Sequence, residues 1–120
     1  MTNADRADRD VRRQLPLPTA VFHILIALGE GEKHGYAVMQ EVADRTQGEL
    51  RMSPGTLYGS IRKMFDDGLI EESFTRAADD ERRRYYRLTK FGRAVAGAEA
   101  ERLASLLHHA RLNGLVPRKG

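Results

Sequence analysis

At 120 residues, with 41% hydrophobic and 31% charged side chains, the chain has material for one small globular domain plus an arm or an extra helix. It contains no cysteine, which excludes disulfides, thiolate metal sites and cysteine nucleophiles and fits a reducing cytoplasm. The net charge of +3 suits nucleic acid or another anionic surface, and the positive charge is concentrated: Arg82, Arg83, Arg84, Arg87, Lys90 and Arg93 share one stretch with no acid among them.

Residues 1–14 alternate Asp and Arg with almost nothing apolar, so burial cannot repay the entropy of ordering them and the reading is a disordered N-terminal arm. Residues 15–88 then carry alternating helix and strand signals. Pro16 and Pro18 disfavour helix for the residues before them, and Pro18 or Thr19 opens a first helix, from about Pro18 to Leu28, apolar on nearly every face. Its run from Ala20 to Leu28 is too short for the roughly 20 residues of a membrane span, so no membrane association is expected. Gly29 and Gly31 end it.

A second helix is expected from about His34 to Thr46, with Tyr36, Met39, Val42, Ala43 and Thr46 on its core face. A short strand is expected around Leu50 to Met52. Ser53-Pro54 is a strong helix opening, a capping hydroxyl followed by a proline at the first helical position. The third helix runs from there to about Asp67 and stops at Gly68. Leu57, Ile61, Met64 and Phe65 are its buried stripe; Thr56, Gly59, Arg62 and Lys63 point the other way, with Tyr58 and Ser60 on the flanks.

Residues 69–76 and 82–89 read as an antiparallel hairpin in which Arg82, Arg84, Tyr86 and Leu88 share one face. Thr89 caps a final helix, residues 89–112, whose apolar stripe includes Phe91, Val95, Leu103, Leu106, Leu107 and Ala110. Residues 113–120 are a tail. A helix of about 22 residues spans some 33 Å, more than so small a core can cover, so a homodimer is expected to bury it. The histidines show no metal-ligand spacing, and no phosphate loop or nucleophile elbow appears. No metal, no cofactor and no enzymatic activity are expected.

The element order, mainly α with a small β-hairpin, is that of a winged helix-turn-helix followed by a C-terminal dimerisation helix. Three blocks carry a closer likeness: HGYAVMQEV in the second helix, SPGTLYGSIRKMFDDGLIEE through the third, and RRRYYRLTKFG at the second strand. Together they resemble the PadR family of transcriptional regulators, in its short form with a single C-terminal dimerisation helix. The resemblance covers residues 15 to 110.

That resemblance implies a cytoplasmic, nucleoid-associated homodimer that binds double-stranded DNA at a palindromic operator, most often as a repressor. It also implies a small, frequently aromatic effector, set against an interface simply filled by side chains. The expected recognition-helix contacts are Ser53, Gly55, Thr56, Tyr58, Gly59, Ser60, Arg62 and Lys63. Arg82, Arg83 and Arg84 of the wing and Lys33, His34 and Tyr36 at the second helix's start are the expected backbone contacts. Phe22, Phe91, Val95, Leu103, Leu106, Leu107 and Ala110 are the expected dimer interface. The alternative is a winged-helix module that docks an acidic protein through its basic wing.

Overall fold

The structure, a computed structural model, describes residues 3–73 and 84–117. Among the described residues, five helices and three strands follow in the order α1 (Asn3–Arg13), α2 (Thr19–Leu28), β1 (Lys33–His34), α3 (Gly35–Arg45), α4 (Pro54–Asp66), β2 (Ile70–Ser73), β3 (Tyr85–Leu88) and α5 (Lys90–Leu112). Most helix boundaries fall within a residue or two of the sequence reading, because the residues that set them are local. Ser53 Oγ accepts from the Thr56 amide at 3.1 Å, and Thr89 Oγ1 accepts from the Gly92 amide at 2.9 Å; each satisfies an amide that the helix itself leaves unpaired.

The end of α4 is equally local. Gly68 takes φ +77°, and the amides of Gly68 and Leu69 bond back to Phe65 (3.0 Å) and Met64 (2.9 Å). This is the glycine-terminated closure in which the two residues flanking the turn, here buried Met64 and Leu69, pack on each other. The turn therefore aims β2 away from the helix axis and starts the wing.

Around these ends lies one core. Leu25, Ala27, Val42, Leu57 and Val95 are fully buried, and Ile24, Leu28, Val38, Met64, Leu69 and Ile70 nearly so. α2 sits at the centre, packed on α3 and α5. The antiparallel sheet has the order β1-β3-β2, with Glu72 opposite Tyr86 and Ile70 opposite Leu88 on the β2–β3 pair.

Four expectations are corrected. Residues 3–13, read as a disordered arm, form α1, which packs along α5. Asp5 in its first turn and Arg12 and Arg13 in its last suit the helix dipole, and Val11 touches the core. No strand forms at Leu50 to Met52; the third strand is instead Lys33–His34, paired with Tyr86 and Tyr85.

Tyr36 is not a core residue but 64% exposed, because the buried seam of α3 runs through Gly35, Val38 and Val42, which shares Val42 with the expected stripe but replaces Tyr36 and Met39 by the residues just before them. Phe65 likewise leaves the core row of Leu57, Ile61 and Met64 and meets the Tyr86 ring edge-on, 6.4 Å between centroids. Among the described residues no helix is long and apolar enough to cross a membrane.

Candidate nucleic-acid interface

The N-terminal half of α4 holds no acid. Gly55, Thr56, Gly59, Arg62 and Lys63 are exposed, as is half of Tyr58, whereas Ser60 is half-buried. Ser53 does two jobs: its hydroxyl also donates to Thr56 Oγ1 at 3.0 Å, leaving the threonine proton free to donate outward. At Gly59 a Cβ would meet nothing within 4 Å, so this surface is open to a close-fitting partner. Lys63 Nζ lies 3.4 Å from Asp67, an exposed pair of the kind worth roughly 0–1 kcal/mol and easily exchanged. Arg62 makes no ion pair among the described residues.

At the start of α3 the expected residues do different things. His34 Nδ1 accepts from the Ala37 amide at 3.1 Å, which makes His34 the cap, and its ring meets Tyr85 edge-on at 5.5 Å. Lys33 is tied up: its ammonium bonds Glu41 and, at 3.0 Å, Glu30. Burial works to lower the Lys33 pKa, but the bonds to Glu41 and Glu30 and their charge outweigh it and leave it above the ordinary lysine value. Glu41 in turn holds Arg45 at 2.5 Å, and Arg45 reaches His23 Nδ1 at 3.0 Å on α2. Of this trio Tyr36 alone presents most of its side chain to solvent. Tyr58 crosses over buried Gly35, where a Cβ would stand 2.9 Å from the phenol oxygen.

Between α4 and the wing lies a groove lined by Tyr58, Ile61, Arg62, Phe65, Asp66, Glu72, Arg84 and Tyr86. Strand pairing places Glu72 beside Tyr86 on the face toward α4, and Arg84 Nε stands 3.8 Å from the Glu72 carboxylate. Burial pushes the Tyr86 phenol above its ordinary pKa, and the Tyr58 phenol and Glu72 carboxylate push the same way. On the opposite face Arg87 Nε pairs with Glu71 at 2.9 Å. Of the expected wing arginines only Arg84 is described; Arg82 and Arg83 lie outside the described residues. The groove carboxylates Asp66 and Glu72 were missed by the sequence reading. The period of two that put Arg84 and Tyr86 on one face would also have found Glu72, had the β2–β3 register been known.

The final helix divides. Phe91 is half-buried, and Val95 has no exposed surface. Val95 is therefore corrected from the dimer interface to the protomer's own core, where it joins the buried cluster. Phe22 is half-buried against the same core. Farther along, Leu103, Leu106 and Leu107 are 40%, 55% and 43% exposed, and Ala110 is half-buried.

A buried Glu99 marks the boundary. It accepts from the Leu17 amide at 2.6 Å and pairs with Arg102, so it fastens α5 to the entry of α2. The hydrogen bond from Arg102 holds its carboxyl below the ordinary range; burial opposes this, and the Leu17 amide adds to it.

The packed pair α2 and α3, the exposed α4 beside a small antiparallel wing, and the long α5 define a winged helix-turn-helix protein. Comparisons carry the assignment further. The model of the transcriptional regulator PadR-like family matches residues 24–98. The chain is 37% identical over 85 residues to the transcriptional regulator Rv3488 of Mycobacterium tuberculosis, covering 71% of this chain and 76% of that one. It is 31% identical over 71 residues to an uncharacterized protein of Lysinibacillus sphaericus, covering 59% of this chain and 65% of that relative's length. A PadR family transcription regulator of Clostridium difficile is similar in fold, with TM-score 0.67 at 20% identity, covering 79% of this chain and 97% of that one. The chain belongs to the PadR-like family of transcriptional regulators.

Proposed function

We propose that the protein is a homodimeric repressor that reads a palindromic operator with α4 and straddles the DNA backbone with its wing. One observation carries this reading: the acid-free, serine-capped start of α4 presents Gly55, Thr56, Gly59 and Arg62 to solvent beside a groove that ends in Arg84. Recognition helices present this end to base edges. A threonine methyl can pack on a thymine methyl, and an arginine can reach guanine O6 and N7. Tyr36 and Tyr58 flank the helix start, where a phenol can bond a phosphate oxygen.

Support for the dimer comes from the row Leu103, Leu106 and Leu107, which stays half open to water in the protomer. Pairing of this row with a second copy gives two-fold symmetry and half-sites about 34–36 Å apart or a multiple of that. Such a protein works in the cytoplasm at the nucleoid, and a small aromatic effector lodged at the seam is the means of release this reading favours. An effector acts only by binding the DNA-competent and incompetent dimers unequally.

The test is a salt titration on duplexes recovered by the protein from a randomised pool. Affinity should fall with a log–log slope near −0.9 per phosphate contacted. No duplex binding at low salt would refute the proposal.

A further inference from the structure

We propose that Glu72 is a specificity-determining residue of the DNA-binding groove: a fixed carboxylate that penalises an arbitrary phosphate backbone and so widens the gap between operator and random DNA. The inference rests on the DNA-binding reading above and deepens it.

Three observations combine. First, the described part of the groove is electrically balanced, with Arg62 and Arg84 set against Asp66 and Glu72 among its lining residues. A surface made only to hold a polyanion has no use for carboxylates there.

Second, the two members of the Arg84–Glu72 pair differ in freedom. The Arg84 side chain is 75% exposed and that of Glu72 is 26%. Glu72 sits inside the β2–β3 ladder, opposite buried Tyr86, whereas Arg84 lies just before its strand. At 3.8 Å, with the arginine largely exposed, the pair is weak. An incoming phosphate can draw Arg84 away, but Glu72, with its backbone in the ladder and its side chain three-quarters buried, has less room to leave.

Third, the aromatic rings of Phe65, Tyr58 and Tyr86 wall the same groove. Low-polarity walls screen a charge less than open water does.

A carboxylate held in this way repels phosphate on every sequence. Only a site offering a hydrogen-bond donor there, such as a cytosine amine, returns the loss. Glu71 provides a matched comparison: it is the preceding residue on the same strand, has the same charge and also pairs with an arginine, but it lies on the opposite face.

The experiment measures Glu72→Gln, Glu71→Gln and wild type on two probes, a random-sequence duplex and the best duplex that the wild-type protein selects from a randomised pool. Urea midpoints confirm that the near-isosteric variants fold alike. Glu72→Gln should bind the random duplex about three- to sevenfold more tightly, the scale of one unit charge at about 7 Å with an effective dielectric between about 40 and 80. Its affinity for the selected duplex should stay level or fall, so the ratio of the two shrinks. Glu71→Gln should keep the wild-type ratio.

An unchanged ratio in Glu72→Gln, or the same change in both variants, overturns the inference while leaving the DNA-binding reading intact. If wild type binds neither duplex at low salt, the DNA-binding reading fails and takes this inference with it.

Discussion

The junction between wing and final helix offers the sharpest test of the fold. A Cβ added at Gly92 would lie 1.8 Å from the Leu69 carbonyl oxygen, 2.7 Å from its carbon and 3.1 Å from its Cα. Carbon-to-oxygen contacts settle at about 3.3 Å or more, and the obstacle is backbone that cannot rotate aside. Gly92→Ala must therefore part α5 from the start of β2 by more than about 1 Å. That separation strains the Thr89 amide bond to Leu69 (3.1 Å) and the Thr89 hydroxyl bond to Gly68 (2.6 Å).

Overpacking costs about 1–3 kcal/mol and each weakened hydrogen bond about 1 kcal/mol, while alanine returns about 1 kcal/mol of helix propensity. The expected net loss is about 3 kcal/mol, a large share of the 5–15 kcal/mol typical of a domain. Urea denaturation at one fixed protomer concentration should show the midpoint falling by about 1–2 M. Gly97→Ala, on the same helix with nothing within 4 Å of its Cβ, should instead hold or raise the midpoint. A Gly92→Ala midpoint at or above wild type would show that helix propensity outweighs the contact and would refute the argument.

Three further outcomes are expected. Leu103→Asp should turn the dimer into monomer in sedimentation without unfolding the protomer, and an unchanged dimer would place the seam elsewhere. Arg84→Ala should weaken binding to random and selected duplexes alike, whereas Thr56→Ala should also narrow the difference between them; equal behaviour would remove the assigned division of labour. Glu99→Gln should lower stability at pH 7 by about 1–3 kcal/mol. Because the folded-state pKa of Glu99 is depressed, its contribution is full above the unfolded carboxyl pKa and is lost as pH falls through the folded one. The variant's stability should accordingly fall less than the wild type's over that acid range, and parallel acid limbs would contradict the assignment.

What the sequence made legible was what local chemistry decides. Ser53-Pro54, Thr89 and Gly68 act within a turn of where they stand, so the ends of α4 and the start of α5 could be read directly. The row Leu57, Ile61 and Met64 follows from helical period alone. Legibility failed where a partner distant in sequence decides. Gly35 is buried with Tyr58 lying across it, a contact between two helices that α3's own sequence does not announce, and the next residue, Tyr36, lies outside. Lys33–His34 is too short to announce a strand and exists because β3 offers it an edge.

Glu99 looks like one more surface charge until α5 lies across the Leu17 amide, 82 residues away in sequence. In the candidate site the exposed residues of α4 were legible from periodicity. The carboxylates facing them were not, since their position depends on strand register and on how the wing packs.

These distant contacts also bear on how a dimer of this fold can change shape. The first part of α5 is fixed to its own protomer at three points: Gly92 on the Leu69 backbone, Val95 in the core, and Glu99 on the Leu17 amide. Beyond Arg102, residues 103–109 are all exposed, the three leucines among them. If two copies pair through that distal part, α4, wing and proximal α5 would move as one unit in each protomer. On the proposed function, an effector that altered the pairing would shift the two units against each other without distorting α4. Release from DNA would then be a change in the distance and angle between the two units. The stretch between Glu99 and Leu103, where anchored helix gives way to free helix, is where such a movement has to be accommodated.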